Sequence, residues 1–250
     1  MGDLESLMKK SGLWRASSID CEFRQGLPSG FPLLDNHLPG SGWPVDGVTE
    51  LLHDQYGIGE LRLLSPALAR LSQEQSRRIL LVSPPFIPYP PALQACGVDL
   101  STLLIVQPKS DQDILWVLEQ ALGSKSCSAV LAWPQTILDK QIRRLQIASK
   151  EGNTWNILFR KTNVRSSPAE LRIHLSAGNA PLSFHSAINV KILKRRGGWE
   201  STTFRVDFDD NLNQQTPDFS ELFVNPPVNN NETKILQRPV ALPSFPATAG

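Results

Sequence analysis

From Val48 onward the chain alternates short, almost unbroken apolar runs with stretches of helical periodicity, and this alternation restricts its architecture more than any other feature. The runs are GVTELL (47–52), RRILLVSPP (77–85), TLLIVQP (102–108), SAVLAWP (128–134) and WNILFRK (155–161). Strands this continuously apolar have both faces covered, and the segments between them are long enough for helices. The expectation is an α/β fold, a mostly parallel β-sheet flanked by helices. After Pro168 the pattern changes to AELRIHL, AINVKIL and TFRVDF, and the last two are joined through Gly197 and Gly198 as a C-terminal β-hairpin. Residues 1–45 alternate polar stretches with Pro/Gly turns and read as an N-terminal arm, and residues 46–210 as the core. Residues 211–250, rich in Pro and Asn without a period, read as a disordered tail.

Two helices carry readable ends. In SDQDILWVLEQALG, Ser110 is the expected N-cap, Asp113 the N3 residue and Gly123 the residue beyond the end. ILDKQIRRLQIASKEG places Leu138, Ile142 and Leu145 on one stripe, with Lys140, Arg143, Arg144 and Lys150 largely off it. Pro66 falls where a helix should follow the first glycine-containing loop, so that helix is expected from about Pro66 to Leu71 behind a distorted first turn. Trp116 and Trp133 read as core residues.

The stretch ELLHDQYGIGELRLL (50–64) has the strand, glycine turn and helix of a phosphate-binding loop, whose pattern is G-x-x-x-x-G-K-[ST]. With Gly59 on the second glycine, Asp54, Glu60 and Leu61 stand at the other three fixed places. The lysine that offsets phosphate charge and the hydroxyl that binds Mg²⁺ are therefore missing, though backbone N–H groups around Gly57 and Gly59 form a candidate anion nest. A Walker-B strand ends on an acid, whereas SAVLAWP ends on Trp133-Pro134. The expectation is a degenerate P-loop, no cofactor and no ATPase activity. His37, His53, His174 and His185 are scattered without metal-ligand spacing, and no nucleophile–base constellation emerges, so neither metal nor catalytic residues are expected.

Three cysteines at spacings that fit neither zinc nor a disulfide framework suit a reducing compartment, and the opening MGDLESLMKKSG lacks the apolar run of a secretion signal. A cytoplasmic protein without membrane association is expected. Charge is the more informative quantity: between Lys140 and Arg196 there are 12 basic and 2 acidic residues in a chain of net charge +1. Arg143, Arg144, Arg160, Lys161, Arg165, Arg172, Lys194, Arg195 and Arg196 are accordingly candidates for contact with DNA or a protein partner. Aromatic residues for base stacking are sparse in that segment, where only Trp155 and Phe159 stand nearby as strand residues.

WPVDGVTELL, GIGELRLLSPALARL, LLVSPPFIPYPPALQACGVDLSTLLIVQP, LEQALGSKSCSAVLAWP and SSPAELRIHL resemble the ImuA family, over roughly residues 30–196. SulA, the SOS inhibitor of cell division, is a shorter relative on a similar core. The resemblance implies a RecA-like core and a non-catalytic accessory role in SOS-induced translesion synthesis and mutagenesis. It also implies partners: an ImuB-type Y-family polymerase homologue, an error-prone replicative-type DNA polymerase and RecA, with single-stranded DNA as a candidate ligand. By similarity to RecA, the water-activating glutamate would follow ILLVS, where Pro84-Pro85 stands, and residues 162–168 correspond to a DNA-contacting loop. The alternative reading is a SulA-like inhibitor that binds the tubulin-like division protein FtsZ.

Overall fold

The computed structural model describes residues 25–178 and 187–208. They fall within one compact unit, and the tail expected for 211–250 lies outside the described residues. Eight strands form one sheet: β1 (Val48–Leu52), β2 (Arg78–Val82), β3 (Leu103–Val106), β4 (Cys127–Ala132), β5 (Trp155–Arg160), β6 (Leu171–Ala177), β7 (Ala187–Lys194) and β8 (Phe204–Asp207). Their order is β3-β2-β4-β5-β1-β6-β7-β8. Every pairing from β3 through β6 is parallel, and β7 and β8 add antiparallel strands at the edge. The hairpin between β7 and β8 turns at 195–198, with Gly197 at positive φ and Arg195 bridged to Gly198.

Side chains alternate across this sheet into two cores, as the pleat requires. Leu51, Ile79, Leu81, Leu131 and Ile157 face α1 (Pro32–Asp35), α2 (Glu60–Glu74) and α3 (Pro90–Ala95). Val48, Leu80, Val82, Val130 and Leu158 face α4 (Asp111–Gly123) and α5 (Asp139–Gly152). Residues 25–45, read from sequence as part of an arm, instead contribute Leu27, Phe31, Leu34, Leu38 and Trp43 to the first core. Trp43 is fully buried 5.6 Å from Trp155, so this segment is part of the folded unit.

The helices correct several local expectations. Helix α2 begins at Glu60 and runs straight through Pro66, which lacks the N–H that Arg62 would otherwise receive. The Ser65 hydroxyl donates to the Arg62 carbonyl at 2.8 Å instead, so the freed acceptor is satisfied. Ser110 caps α4 as expected, accepting from the Asp113 amide, but Gly123 is the last helical residue and Ser124 the cap. Leu138 is an exposed N-cap of α5 and Ile137 is buried in its stead, because α5 starts one residue after Leu138. Trp133 is buried, whereas Trp116 sits on the outer face of α4, opposite the buried Ile114–Leu118–Leu122 stripe. Gly152 is needed where α5 ends, since a Cβ there would lie 1.7 Å from the Leu122 carbonyl oxygen of α4.

Candidate functional site

The loop from His53 to Gly59 joins β1 to α2 at the carboxyl end of the sheet, where parallel α/β folds bind ligands. Gly57 and Gly59 both take positive φ, and Gly59 is the N-cap of α2. The Gly57 amide donates to Glu60 Oε1 at 2.9 Å. Glu60 is buried and its Oε2 has no partner among the described residues. A carboxylate of the chain itself therefore takes the Gly57 amide that an anion at this loop would contact. Phe208, at the end of β8, closes the loop from outside: a Cβ on Gly59 would lie 2.6 Å from its ring, and the Arg62 guanidinium lies 4.9 Å above that ring. Leu61 supplies no polar group. Asp54, at the first glycine place of the pattern, is turned away and accepts from the Thr162 hydroxyl and amide. The Thr162 hydroxyl bond holds its carboxyl below the ordinary aspartate range.

The second arrangement centres on Glu50, which the sequence hid within an apolar strand. It is completely buried. Arg160 Nη1 donates to its Oε1 at 2.6 Å, Ser167 Oγ to the same oxygen at 2.7 Å, and Arg172 Nε to Oε2 at 2.8 Å. Arg172 also donates to the Val164 and Arg165 carbonyls, Arg160 to the Ile137 carbonyl, and Lys194 Nζ to the Ser167 carbonyl. A charge in the middle of a buried strand requires partners, and β1 lies between β5 and β6, which bring one arginine each. The network pins residues 162–168 against the sheet.

This divides the basic candidates. Arg160, Arg172 and Lys194 spend their donors inside the fold, Arg144 pairs with Glu119 of α4 at 2.6 Å, and Arg195 reaches across to the His37 carbonyl of the other layer. Arg143, Lys161, Arg165 and Arg196 stay exposed without a carboxylate partner among the described residues. They do not form one continuous stripe, since Lys161 leaves the carboxyl end of β5 whereas Arg196 sits in the hairpin turn after Lys194, whose register partner Arg172 opens β6.

Beside Lys161 lies a cleft of about 140 Å³ between the ends of β1, β4 and β5. Its walls include the stacked pair Trp133 and Phe159, with ring centroids 4.3 Å apart, and the buried His53. Tyr56 stands at its mouth, edge-on to His53 at 5.0 Å and to the exposed Phe86 at 6.1 Å. Sequence periodicity does not reveal this grouping, because each aromatic comes from a different loop or strand end. No group of residues suited to a metal ion occurs among the described residues, and no described helix is long and apolar enough to cross a membrane.

Comparison with known proteins adds relationship to this geometry. The family model for the cell division inhibitor SulA matches residues 47–156. A SulA from Edwardsiella piscicida is 31% identical over 99 residues, covering 40% of this chain and 59% of that protein. The protein ImuA of Caulobacter vibrioides is 26% identical over 140 residues, covering 54% and 57%. A SulA from Photorhabdus laumondii is 33% identical over 116 residues, covering 46% and 65%. Each of these three matches spans less than two thirds of the relative's length. Among solved structures, SulA from Pseudomonas aeruginosa is 25% identical with a TM-score of 0.39, covering 45% of this chain and 97% of that one. In sequence, then, this chain is similar to both SulA and ImuA proteins, and its residues 47–156 match the SulA family model.

Proposed function

We propose that this chain is a non-catalytic accessory protein of SOS-induced translesion synthesis, built on a RecA-like core and acting by binding protein partners. The observation that supports the non-catalytic reading is the Glu60 carboxylate on the Gly57 amide, an internal anion at the loop read from sequence as a degenerate P-loop. With Leu61 in place of the hydroxyl residue and Trp133-Pro134 in place of a Walker-B acid, nothing in the loop supports Mg²⁺-nucleotide chemistry. The similarity to ImuA supports an ImuB-type polymerase homologue, an error-prone replicative-type polymerase and RecA as partners, with single-stranded DNA as an additional ligand.

The SulA family match favours a second reading, a cell-division inhibitor that binds FtsZ. Purified chain offered an ImuB-type polymerase homologue and FtsZ in parallel separates the two. Under the first reading the polymerase homologue is captured and FtsZ GTP turnover is unaffected. Capture of FtsZ with loss of its turnover, and none of the polymerase homologue, replaces the first reading with the second.

A further inference from the structure

We propose that the cleft at the ends of β1, β4 and β5 binds a nucleobase carrying a phosphate, with Tyr56 as stacking ring, His53 as base acceptor and Lys161 as phosphate contact. The proposal rests on the DNA-damage reading above and gives its nucleic-acid component a place.

His53 is the first observation. Its Nδ1 lies 2.8 Å from the Gln55 carbonyl oxygen, which only accepts, so Nδ1 carries the hydrogen. In the neutral ring Nε2 is then an acceptor, and it is buried without a partner among the described residues, although His53 lines the cleft and is 4% exposed. A buried acceptor without a donor calls for a ligand N–H or O–H.

The surroundings specify the rest of that ligand. Tyr56 lines the cleft and is 45% exposed, so its ring presents surface to solvent, while Phe86, outside the lining, stands edge-on to it. Tyr56, the ring packed on His53, is a surface side chain whose displacement or stacking admits an incoming ring. Lys161 lines the same cleft with no carboxylate partner among the described residues, while Arg160, which also lines it, is ion-paired with Glu50. The lining contains no carboxylate, and the adjacent Asp54 is committed to Thr162. An exposed aromatic ring, a hydrogen-bond acceptor and a cation without a carboxylate partner among the described residues match an unstacked base with its phosphate, the unit by which single strands are held. Duplex bases are stacked and paired, so they do not offer it.

The test is fluorescence anisotropy of a labelled single-stranded oligothymidylate with the full chain, at several salt concentrations, with duplex and free thymidine monophosphate as competitors. Thymine N3–H supplies the donor for His53. Tyr56→Ala is expected to weaken binding about tenfold or more, and Tyr56→Phe to retain it. Lys161→Gln is expected to reduce the salt slope by about 0.7. Both residues are exposed, and circular dichroism checks that the variants fold. Competition by the free nucleotide at similar concentration identifies a mononucleotide ligand, and competition by strand alone identifies single-stranded nucleic acid; either supports the cleft. Wild-type affinity in Tyr56→Ala and Lys161→Gln, or equal affinity for duplex, overturns the site. If binding then depends on Arg143, Arg165 and Arg196, the nucleic-acid reading survives without the cleft. Absence of any wild-type binding removes both, while the partner-capture experiment still judges the accessory role by itself.

Discussion

A single carboxylate decides the chemistry of the β1–α2 loop. Glu60 satisfies the Gly57 amide internally. Removing it would free the amides but supply neither the lysine nor the Mg²⁺ ligand. Purified protein is therefore expected to show no ATP hydrolysis with or without single-stranded DNA, and Glu60→Ala is expected not to create it. DNA-stimulated turnover that disappears on changing Gly59 or Glu60 would refute this. Elsewhere a residue works against the fold: Asn156 of β5 is fully buried with neither amide atom paired among the described residues, flanked in register by Val48 and Val130. Asn156→Leu removes two unsatisfied groups and should raise the unfolding free energy by about 1 kcal/mol or more. A higher urea midpoint at unchanged slope is the expected result. Burial holds the Cys127 thiol above its ordinary range, with Arg77 opposing. The unfolded thiol ionises at about 8.5, so stability is intact below that pH and falls as pH rises past it. Cys127→Ala should flatten this alkaline loss, read from urea midpoints between about pH 8 and about pH 10.

At the scale of elements, β1 is held on one side by β5 and on the other by β6, and Glu50 fixes one arginine from each. Glu50→Gln leaves two guanidinium groups in a buried site without their counter-charge, a change that costs about 3–5 kcal/mol in comparable pairs. The expected signature is a lower denaturation midpoint together with faster proteolysis within 162–168, the segment those arginines tether. An unchanged midpoint would show that the three charges are not coupled. The strands themselves were legible because continuous apolar runs bounded by turns admit little else, and the capping of α4 by Ser110 was legible for the same local reason. Glu50 carried a signal that went unused: one acid inside an apolar strand demands a buried cation, and Arg160 and Arg172 end and open the flanking strands. The cleft was not legible. His53, Tyr56, Phe86, Trp133 and Lys161 have no common spacing and meet only because parallel strands deliver their carboxyl ends to one edge. Charge counting likewise grouped Arg160 and Arg172 with Arg143 and Lys161, since a one-dimensional count cannot separate inward from outward side chains.

Across the whole molecule, the loops at the carboxyl edge of the sheet are already fixed without a ligand. In nucleotide switches, the γ-phosphate and its metal order such loops, and hydrolysis releases them. Here Glu60 and Phe208 hold the β1–α2 loop, Thr162 ties Asp54 to the segment after β5, and Glu50 with its arginines and Ser167 holds that segment down. A ligand shifts an equilibrium only by its differential affinity for two states, and the Glu60 carboxylate on the Gly57 amide works against any state that would favour a γ-phosphate. Partner capture should therefore be constitutive. Affinity for the captured partner is expected to be equal in ATP and in ADP, each with Mg²⁺, and unchanged in a chelator. The ATP–ADP comparison isolates the γ-phosphate, because any binding of the base in the cleft is common to both nucleotides and cancels. Calorimetric titration of the partner under the three conditions measures it. A tenfold difference between ATP and ADP, about 1.4 kcal/mol, would mean that the loop opens and that Glu60 is a displaceable plug. In that case Glu60→Ala should enlarge the difference further.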